Sequence, residues 1–406
     1  MGRLVYFSFP AYGHVNPTLP VVRELVRREH EVIYYGTEPF RQAIQATGAV
    51  FCPYSAQFCM PEQGPGPFVR LSTTLETLLE LSRVVLAHHL EQAKLARPTH
   101  IMYDSFAPWG GLVARLLRLP SIASIPSILV NREIDSRYGA GPERQPEDPR
   151  LTAQWIAAFR ERSHACLLPY NLPEPPSPAQ LLQTYGDLNL VYTSRLFQPL
   201  AETFEGGRFK FVGPCFDFRP QAPPFPFDRL DGRPLVLVSL GTVYGNCPQF
   251  VRVCLEELAD TEWQVVLSAG GNSRIEDLGP VPGNFIVRSF VPQIEILRRA
   301  AAFVTHGGMN SVQEALYHGV PMVAAPQAAD QFWISARASE LGAALVLAPA
   351  RMEAGAVRGG VRRILSGSSY AAAAARIGAS LREAGGSGRA TGEIESFIGP
   401  PGTGQL

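Results

Sequence analysis

The sequence predicts an α/β fold with two parallel sheets, and three observations support this prediction. Short apolar runs of strand length, such as Leu4–Phe9, alternate with longer stretches of helical periodicity. The same alternation occurs in both halves of the chain. Between the halves, residues 213–234 carry six prolines, a composition typical of a semi-rigid linker. Because alternating strands and helices favour parallel sheets covered by helices, we expect two domains of this kind.

Length and composition agree with a globular protein. The chain has 406 residues, 46% hydrophobic and 18% charged, which is enough for two ordinary domains. The formal net charge is zero, so no nucleic-acid partner is indicated. No apolar run has the length of a membrane span, so no integral membrane segment is predicted. Six scattered cysteines lack metal-ligand spacing and are expected to be free thiols of a cytoplasmic protein.

In the first half, strands are predicted where apolar runs end at glycine, proline or polar residues. These strands are Leu4–Phe9, Glu31–Tyr35, Ala49–Pro53, His100–Asp104, Ser121–Ile125, Leu188–Tyr192 and Phe209–Val212. The predicted helices are one opened by Pro17, then Pro39–Thr47, Leu71–Leu95, Pro108–Leu117 and Leu151–Leu167. The turn after the first strand, Pro10–Asn16, contains Gly13 alone and no G-x-G-x-x-G string. This turn therefore disfavours nicotinamide binding.

The second half follows the same plan. Its predicted strands are Leu235–Ser239, Trp263–Ser268, Phe285–Arg288, Ala301–Val304, Met322–Ala325 and Ala343–Leu347. Its predicted helices are Pro248–Leu258, Asn310–His318, Gln331–Glu340, a helical stretch to about Ala384, and Gly388–Ile398. We therefore divide the chain into a domain at 1–212, a linker at 213–234, a domain at 235–384, a terminal helix at 385–398 and a tail at 399–406.

The segment from Thr305 to Glu314 combines a strand end, two glycines and a helix start. Gly307 and Gly308 let the backbone approach a ligand closely. A helix start offers unpaired N–H groups and the positive end of the helix dipole, which suit a phosphate. Glu314 follows Asn310 by four residues and so shares its helix face. A phosphate at the turn would leave Glu314 one helical turn away, within reach of ribose hydroxyls.

The string from Thr305 to Gln331 resembles the donor-binding signature of the family-one, UDP-sugar-dependent glycosyltransferases, especially their bacterial macrolide branch. This resemblance implies the GT-B fold, in which two Rossmann-like domains face each other across a cleft. It also implies that the acceptor binds the first domain and the nucleotide sugar the second. The last helix of the family commonly crosses back onto the first domain, and we expect 385–398 to do so.

The resemblance also implies roles for donor-site residues. The diphosphate contacts of the family match His306, Gly308, Asn310 and Ser311, with Thr242 reaching the same anion. The string Phe290-Val291-Pro292-Gln293 is similar to a family string in which an aromatic residue stacks on uracil and the glutamine contacts the nucleotide. Phe290 stands where tryptophan is usual, so a thymidine diphosphate donor stays open. Glu314 would bind the ribose, and Asp330-Gln331 would hold the hydroxyls of a hexose, with glucose expected. The alternative for Asp330 is a helix N-cap.

Two residues are candidates for the chemistry. His14 lies in Gly13-His14-Val15-Asn16-Pro17, a string in which the family carries its catalytic base. A histidine titrates near neutral pH and can accept a proton. Asp104 ends a later strand and would orient the His14 ring, although it could also cap a helix. A base without a protein nucleophile implies direct attack on the sugar, and hence inversion at the anomeric carbon.

Three aromatic residues, Phe58, Phe68 and Trp109, are candidates for an apolar acceptor site, or are ordinary core. The acceptor class, whether macrolide, flavonoid or another natural product, is left open. No metal site and no cofactor are predicted, because the UDP-sugar is a co-substrate and no Asp-x-Asp motif accompanies it. The alternatives are a UDP-sugar epimerase of the same fold and a non-catalytic nucleotide-sugar-binding protein.

Overall fold

The structure is a computed structural model. It describes residues 1–60, 71–138, 149–170, 172, 176–219, 223–241, 248–270, 275–328, 330–348 and 353–399. Phe68, Thr242, part of the predicted linker and nearly all of the predicted tail lie outside these ranges.

The described part of the first half forms a seven-stranded parallel sheet in the order β3-β2-β1-β4-β5-β6-β7. The strands are β1 (Arg3–Phe7), β2 (Glu31–Gly36), β3 (Val50–Pro53), β4 (His100–Asp104), β5 (Ser121–Ile125), β6 (Leu188–Val191) and β7 (Phe209–Phe211). In β4, β5 and β6 every residue is buried. Continuous burial of this kind is typical of central strands covered on both faces.

The described part of the second half forms a six-stranded parallel sheet in the order β10-β9-β8-β11-β12-β13. The strands are β8 (Leu235–Ser239), β9 (Gln264–Ser268), β10 (Phe285–Arg288), β11 (Ala300–Thr305), β12 (Met322–Ala324) and β13 (Ala344–Val346). Both sheets are built from strand–helix–strand units, and the predicted two-domain α/β fold is confirmed.

Helices cover the faces of both sheets. Those of the first half are α1 (Tyr12–Val15), α2 (Leu19–Arg27), α3 (Arg41–Gln45), α4 (Leu71–Leu95), α5 (Pro108–Leu117), α6 (Arg132–Tyr138), α7 (Pro149–Leu167) and α8 (Pro178–Leu182). Those of the second half are α9 (Pro248–Glu257), α10 (Gln293–Leu297), α11 (Met309–Tyr317), α12 (Gln331–Glu340), α13 (Ala356–Ser366), α14 (Ser368–Glu383) and α15 (Gly386–Ile398).

Three local features differ from the sequence expectations. The turn after β1 contains the short helix α1, so His14 lies on a helical turn and not in an open loop. The next helix begins at Leu19 and not near Pro17. Helices α6 and α8 were not predicted. Helix α8 begins with a capping box between Ser177 and Gln180, a local signal that compensates for its short length.

The terminal helix α15 packs against the first domain. Ala390 and Ile394 join Leu19 and Leu25 of α2 in one apolar cluster. The Glu395 carboxylate pairs with Arg28 at 2.6 Å. Residues from the end of the chain therefore complete the core around the first sheet.

A further apolar cluster joins the two domains. Ile128 and Leu129, which follow β5, and Ile134 of α6 belong to the same buried cluster as Ile334 and Ala338 of α12. Burial of these side chains stabilises the contact between the domains by removing apolar surface from water. Helix α12 therefore links the second domain to the first.

Candidate active site

The candidate active site lies where the strand order of each sheet reverses. In the first sheet the reversal is between β1 and β4, and in the second between β8 and β11. The connections that leave such neighbouring strands run in opposite directions, which opens a crevice at their carboxyl ends. His14 follows β1 and Asp104 ends β4, whereas Gly241 follows β8 and His306 follows β11. His14 and Asp104 therefore lie at the first crevice, and Gly241 and His306 at the second.

His14 and Asp104 form a hydrogen-bonded pair. Nδ1 of His14 lies 3.0 Å from both carboxylate oxygens of Asp104. The Asp104 side chain is fully buried, whereas 22% of the His14 side chain is exposed. The backbone N–H of Phe106 also donates to Asp104 Oδ1 at 2.8 Å, which holds the carboxylate in place. This arrangement leaves Nε2 of His14 as the ring nitrogen available to a ligand.

The surroundings of His14 set its protonation. Burial lowers the pKa of the imidazole, but the charge and hydrogen bond of Asp104 act in the opposite direction, with a further contribution from Asp330. Together the two carboxylates outweigh burial, and the pKa of His14 is raised above its usual value. A raised pKa makes the ring a stronger proton acceptor.

Two aromatic residues that sequence reasoning missed flank His14. The ring of Phe9 lies 4.8 Å from the imidazole and that of Phe106 lies 5.5 Å from it, measured between centroids. Both are partly exposed. They stand just beyond the carboxyl ends of β1 and β4, and this position next to the candidate base was a signal available in the sequence. These rings give the first crevice an apolar wall.

Phe58 and Trp109, by contrast, lie in the core. Trp109 has no exposed surface, and only 7% of Phe58 is exposed. Their rings meet edge to face at 5.3 Å, and Trp109 Nε1 donates to the Tyr54 hydroxyl at 3.0 Å. Both residues therefore pack with the helices behind the sheet and do not face the crevice.

His306 sits between two glycines. A Cβ atom on Gly241 would lie 2.6 Å from His306 Cε1, and one on Gly308 would lie 2.5 Å from His306 Nε2. Gly307, with φ of 83°, makes the turn that leads into α11. Burial lowers the pKa of His306 to about 4, although a hydrogen bond with the Ser239 backbone acts in the opposite direction. The ring is therefore neutral at pH 7 and carries a single N–H, which has the Ser239 carbonyl as its partner.

Gly308 is the N-cap of α11, and no side chain caps this helix start. The next residues, Asn310 and Ser311, lie in its first turn. The side-chain amide of Asn310 donates to the carbonyl of Gly13 at 3.0 Å, so this residue already bridges to the turn that carries His14. The helix start therefore offers backbone hydrogen-bond donors suited to an anion, and the neutral His306 ring lies beside it.

Glu314, one turn further along α11, is almost completely buried. Its Oε2 accepts from Gln293 Nε2 at 2.7 Å, and the same amide group lies 3.3 Å from Ser311 Oγ. Its Oε1 pairs with Arg219, a residue of the predicted linker that sequence reasoning did not single out. The structure therefore brings Gln293 and Glu314 together, with Arg219 as a third member.

Phe290 and Val291, which precede Gln293, differ in exposure. Half of Phe290 is exposed, as a stacking surface requires, whereas only 8% of Val291 is exposed. Phe290 is thus a large aromatic side chain with a free face close to the Gln293–Glu314 pair.

Asp330 and Gln331 begin α12. Asp330 is the N-cap residue but caps nothing with its side chain. Its Oδ2 instead accepts from the Ser127 hydroxyl of the first domain at 2.8 Å. Loss of hydration raises the pKa of Asp330, partly offset by Ser127 and His14. Gln331 Oε1 accepts from the backbone N–H groups of Gln327 and Ala328, so this side chain shapes the preceding loop.

Across the described residues, no helix is both long and apolar enough to cross a membrane. In the same ranges, no group of three or more His, Cys, Asp or Glu side chains is arranged to hold a metal ion.

Comparisons with known proteins agree with this architecture. Residues 252–384 match the family model of the erythromycin biosynthesis protein CIII-like C-terminal domain. The uncharacterized UDP-glucosyltransferase YojK of Bacillus subtilis is 33% identical over 97% of this chain and 97% of its own length. The demethyllactenocin mycarosyltransferase of Streptomyces fradiae is 32% identical, over 98% of this chain and 87% of its own.

Solved structures lead to the same result. The glycotransferase of kitacinnamycin has a TM-score of 0.82 and 29% identity, and the match covers 98% of this chain and 99% of that one. Such full-length similarity favours glycosyl transfer over the epimerase and binding-protein alternatives. With the paired crevices and the donor-binding string, it shows that the chain belongs to the family-one glycosyltransferases of GT-B fold, in their bacterial macrolide-type branch.

Proposed function

We propose that this glycosyltransferase moves a glucosyl group from UDP-glucose to a hydroxyl of an apolar small molecule, with inversion at the anomeric carbon. The observation that carries the proposal is the His14–Asp104 pair at the carboxyl ends of β1 and β4, opposite the donor half of the molecule. The Asn310–Gly13 and Ser127–Asp330 hydrogen bonds support it, because they bring the donor half next to this pair.

The proton transfer follows from the ring geometry. Asp104 accepts a hydrogen bond from Nδ1–H of His14, which leaves the Nε2 lone pair free. Nε2 accepts the proton of the acceptor hydroxyl as its oxygen attacks the anomeric carbon. The bond from that carbon to the diphosphate oxygen breaks at the same time, and UDP leaves with the bonding electrons. Attack from the face opposite to UDP converts an α-linked donor into a β-glycoside.

The leaving group needs stabilisation of its negative charge. The uncapped start of α11 supplies N–H donors for the diphosphate, and the His306 N–H would join them by leaving the Ser239 backbone. We therefore propose that transfer requires neither a metal ion nor a cofactor. Activity is expected to persist in EDTA, and loss of activity that Mg²⁺ or Mn²⁺ restores would overturn this part of the proposal.

The remaining donor contacts are assigned by position. The exposed face of Phe290 is suited to stacking on a pyrimidine base, and Glu314 to the ribose. Asp330 and Gln331 would hold sugar hydroxyls. The Bacillus subtilis relative is named a UDP-glucosyltransferase, whereas the Streptomyces fradiae relative is named a mycarosyltransferase. Membership of the family therefore does not by itself define the sugar.

The acceptor is proposed to lie against Phe9 and Phe106, whose rings flank His14. An aromatic wall of this kind suits a flavonoid, a macrolide or another apolar natural product, with its hydroxyl directed at Nε2.

Product analysis tests the function as a whole. The purified protein is incubated with UDP-glucose, or with TDP-glucose, and a panel of phenols, flavonoids and macrolides. We expect a β-glucoside from UDP-glucose, identified by mass and by the anomeric proton coupling. An α-glucoside would contradict the one-step mechanism, and transfer from TDP-glucose alone would contradict the proposed donor.

A further inference from the structure

The predicted linker contributes a cation to the donor site. Residues 213–219, which we call the strap, leave β7 of the first domain and carry Arg219 at their end. Arg219 forms an ion pair with the buried carboxylate of Glu314 on α11. This pair joins the strap to the residue that would bind the ribose.

The strap is held on the first domain. The Ser387 hydroxyl of α15 donates to Asp217 Oδ2 at 2.7 Å. The guanidinium carbon of Arg23 in α2 lies 4.4 Å from the centroid of the Phe218 ring. These contacts fix the backbone immediately before Arg219, so its long side chain is the part of the strap with freedom to move.

In this conformation the Glu314 carboxylate is closed to a ligand. Only 2% of its side chain is exposed, whereas 31% of the Arg219 side chain is exposed. Arg219 holds one carboxylate oxygen and Gln293 holds the other. A ribose can reach this carboxylate only if one of these partners moves. Both are partly exposed, and Arg219 is the one whose charge a diphosphate would attract.

Among the described residues, no positive side chain is bonded at the anion site beside it. Within the described ranges, no lysine or arginine makes a hydrogen bond or ion pair with His306, Asn310 or Ser311. His306 is itself neutral at pH 7, because burial lowers its pKa to about 4. Asn310 and Glu314 are separated by about one helical turn, roughly 5.4 Å, a shift that an arginine side chain can span.

We propose that Arg219 pairs with Glu314 at the ribose site when no nucleotide is bound. When a nucleotide binds, Arg219 leaves Glu314 and pairs with the diphosphate. The ribose hydroxyls then donate to the vacated carboxylate, and the guanidinium donates to the phosphate oxygens, for which its planar fork is suited. This proposal rests on the donor site described under Proposed function. It makes Arg219 a residue that distinguishes a nucleoside diphosphate from a nucleoside.

The exchange predicts opposite effects on two ligands. In Arg219→Ala the Glu314 carboxylate lacks a partner, and a ribose supplies the missing donor. Uridine should therefore bind at least as tightly as it does to the wild type. UDP loses a charge-assisted hydrogen bond and should bind about 10- to 100-fold more weakly.

The experiment is calorimetric titration of the full chain with UDP and with uridine. Arg219→Met, which keeps the length and apolar stem without the charge, should behave as Arg219→Ala does and serves if the alanine variant fails to fold. Arg233→Ala is the matched control, because Arg233 is a linker arginine paired with exposed Asp231. The control should keep both affinities.

The outcomes separate this proposal from the one on which it rests. A UDP-to-uridine affinity ratio at least tenfold below wild type, without weaker uridine binding, supports the exchange. An equal loss of affinity for UDP and uridine would make Arg219 a structural partner of Glu314 and would overturn the exchange. Unchanged affinities for both ligands would also overturn it. If the wild type binds TDP and not UDP, the titrations use TDP and thymidine in place of UDP and uridine, and the same criterion applies. No binding of either diphosphate by the wild type would overturn the donor site itself.

Discussion

His14 combines two requirements that oppose each other. As the proposed base, it must lie in a partly dry crevice to meet an apolar acceptor, and loss of water weakens a base by disfavouring its charged form. Asp104, fully buried and in contact with the His14 ring, reverses that effect. The structure thus explains how a histidine on the four-residue helix α1 can be a better base than a free imidazole.

Substitution of the proposed base gives the first prediction. His14→Ala should lower the rate of transfer to an aliphatic alcohol by about 10²–10⁴-fold, the usual contribution of a general base. An acidic phenol that is already ionised should lose less, since it needs no proton acceptor. Initial rates with both acceptors test this, with His88→Ala on the exposed side of α4 as control. Full activity of His14→Ala on the alcohol would contradict the mechanism.

The second prediction concerns pH. The base acts in its neutral form, so kcat/KM should rise with pH through a midpoint above about 6.5, the usual imidazole pKa. In Asp104→Asn the principal cause of the raised pKa is removed while burial remains, so the midpoint should move to lower pH and the plateau should fall. Asp187→Asn, which alters an aspartate bonded to Ser121 at the edge of the domain, is the control. An unchanged midpoint in Asp104→Asn would show that Asp104 does not act through the ring.

At the scale of the element, the start of α11 depends on glycines whose missing side chains leave room for His306. His306 lies in contact distance of the places where Gly241 and Gly308 lack side chains. Strand β11, the turn and helix α11 therefore form one unit, in which a change at Gly308 also moves the His306 ring.

That coupling gives the third prediction. Gly308→Ala would place a methyl group 2.5 Å from His306 Nε2, so the ring must move. We expect UDP to bind about tenfold more weakly, the scale of one lost hydrogen bond, while uridine binding stays unchanged. Gly388→Ala on α15, where an added Cβ meets nothing within 4 Å, is the control. Calorimetry that shows equal UDP affinity would exclude a role for His306 position in diphosphate binding.

At the scale of the whole molecule, the two crevices face each other and the domains touch through polar and apolar contacts. The apolar contact between α6 and α12 is buried, whereas the contacts beside the site are single hydrogen bonds such as Asn310–Gly13 and Ser127–Asp330. Single hydrogen bonds that can break, next to a buried apolar contact that persists, are suited to a hinge.

The fourth prediction follows from this division. Nucleotide-sugar binding should change the angle between the domains by rotation about the apolar contact, with the polar contacts broken and remade. Small-angle scattering with and without UDP-glucose measures this as a change in the radius of gyration. Coincident scattering profiles at saturating ligand would argue for a rigid cleft.

Much of this protein was determined by local sequence patterns. Buried strands such as Leu235–Ser239 and Phe285–Arg288 have the predicted bounds, since a parallel strand covered on both faces is a continuous apolar run. The Gly307-Gly308 turn and the helix after it were also predicted, because the φ of Gly307 and an uncapped helix start are properties of a few neighbouring residues.

Only the tertiary structure decided which side chains meet. Nothing near Trp109 in the sequence shows that its helix turns it into the core, and nothing near Arg219 shows that Glu314 lies beside it. Asn310 and Gly13 are likewise partners across 297 positions. Such pairs depend on strand order and on how the two domains sit against each other, and periodicity along one segment carries no information about either. The sequence by itself therefore determined most of the strands and helices and predicted the residues of the site, and the packing of the domains decided which of them meet.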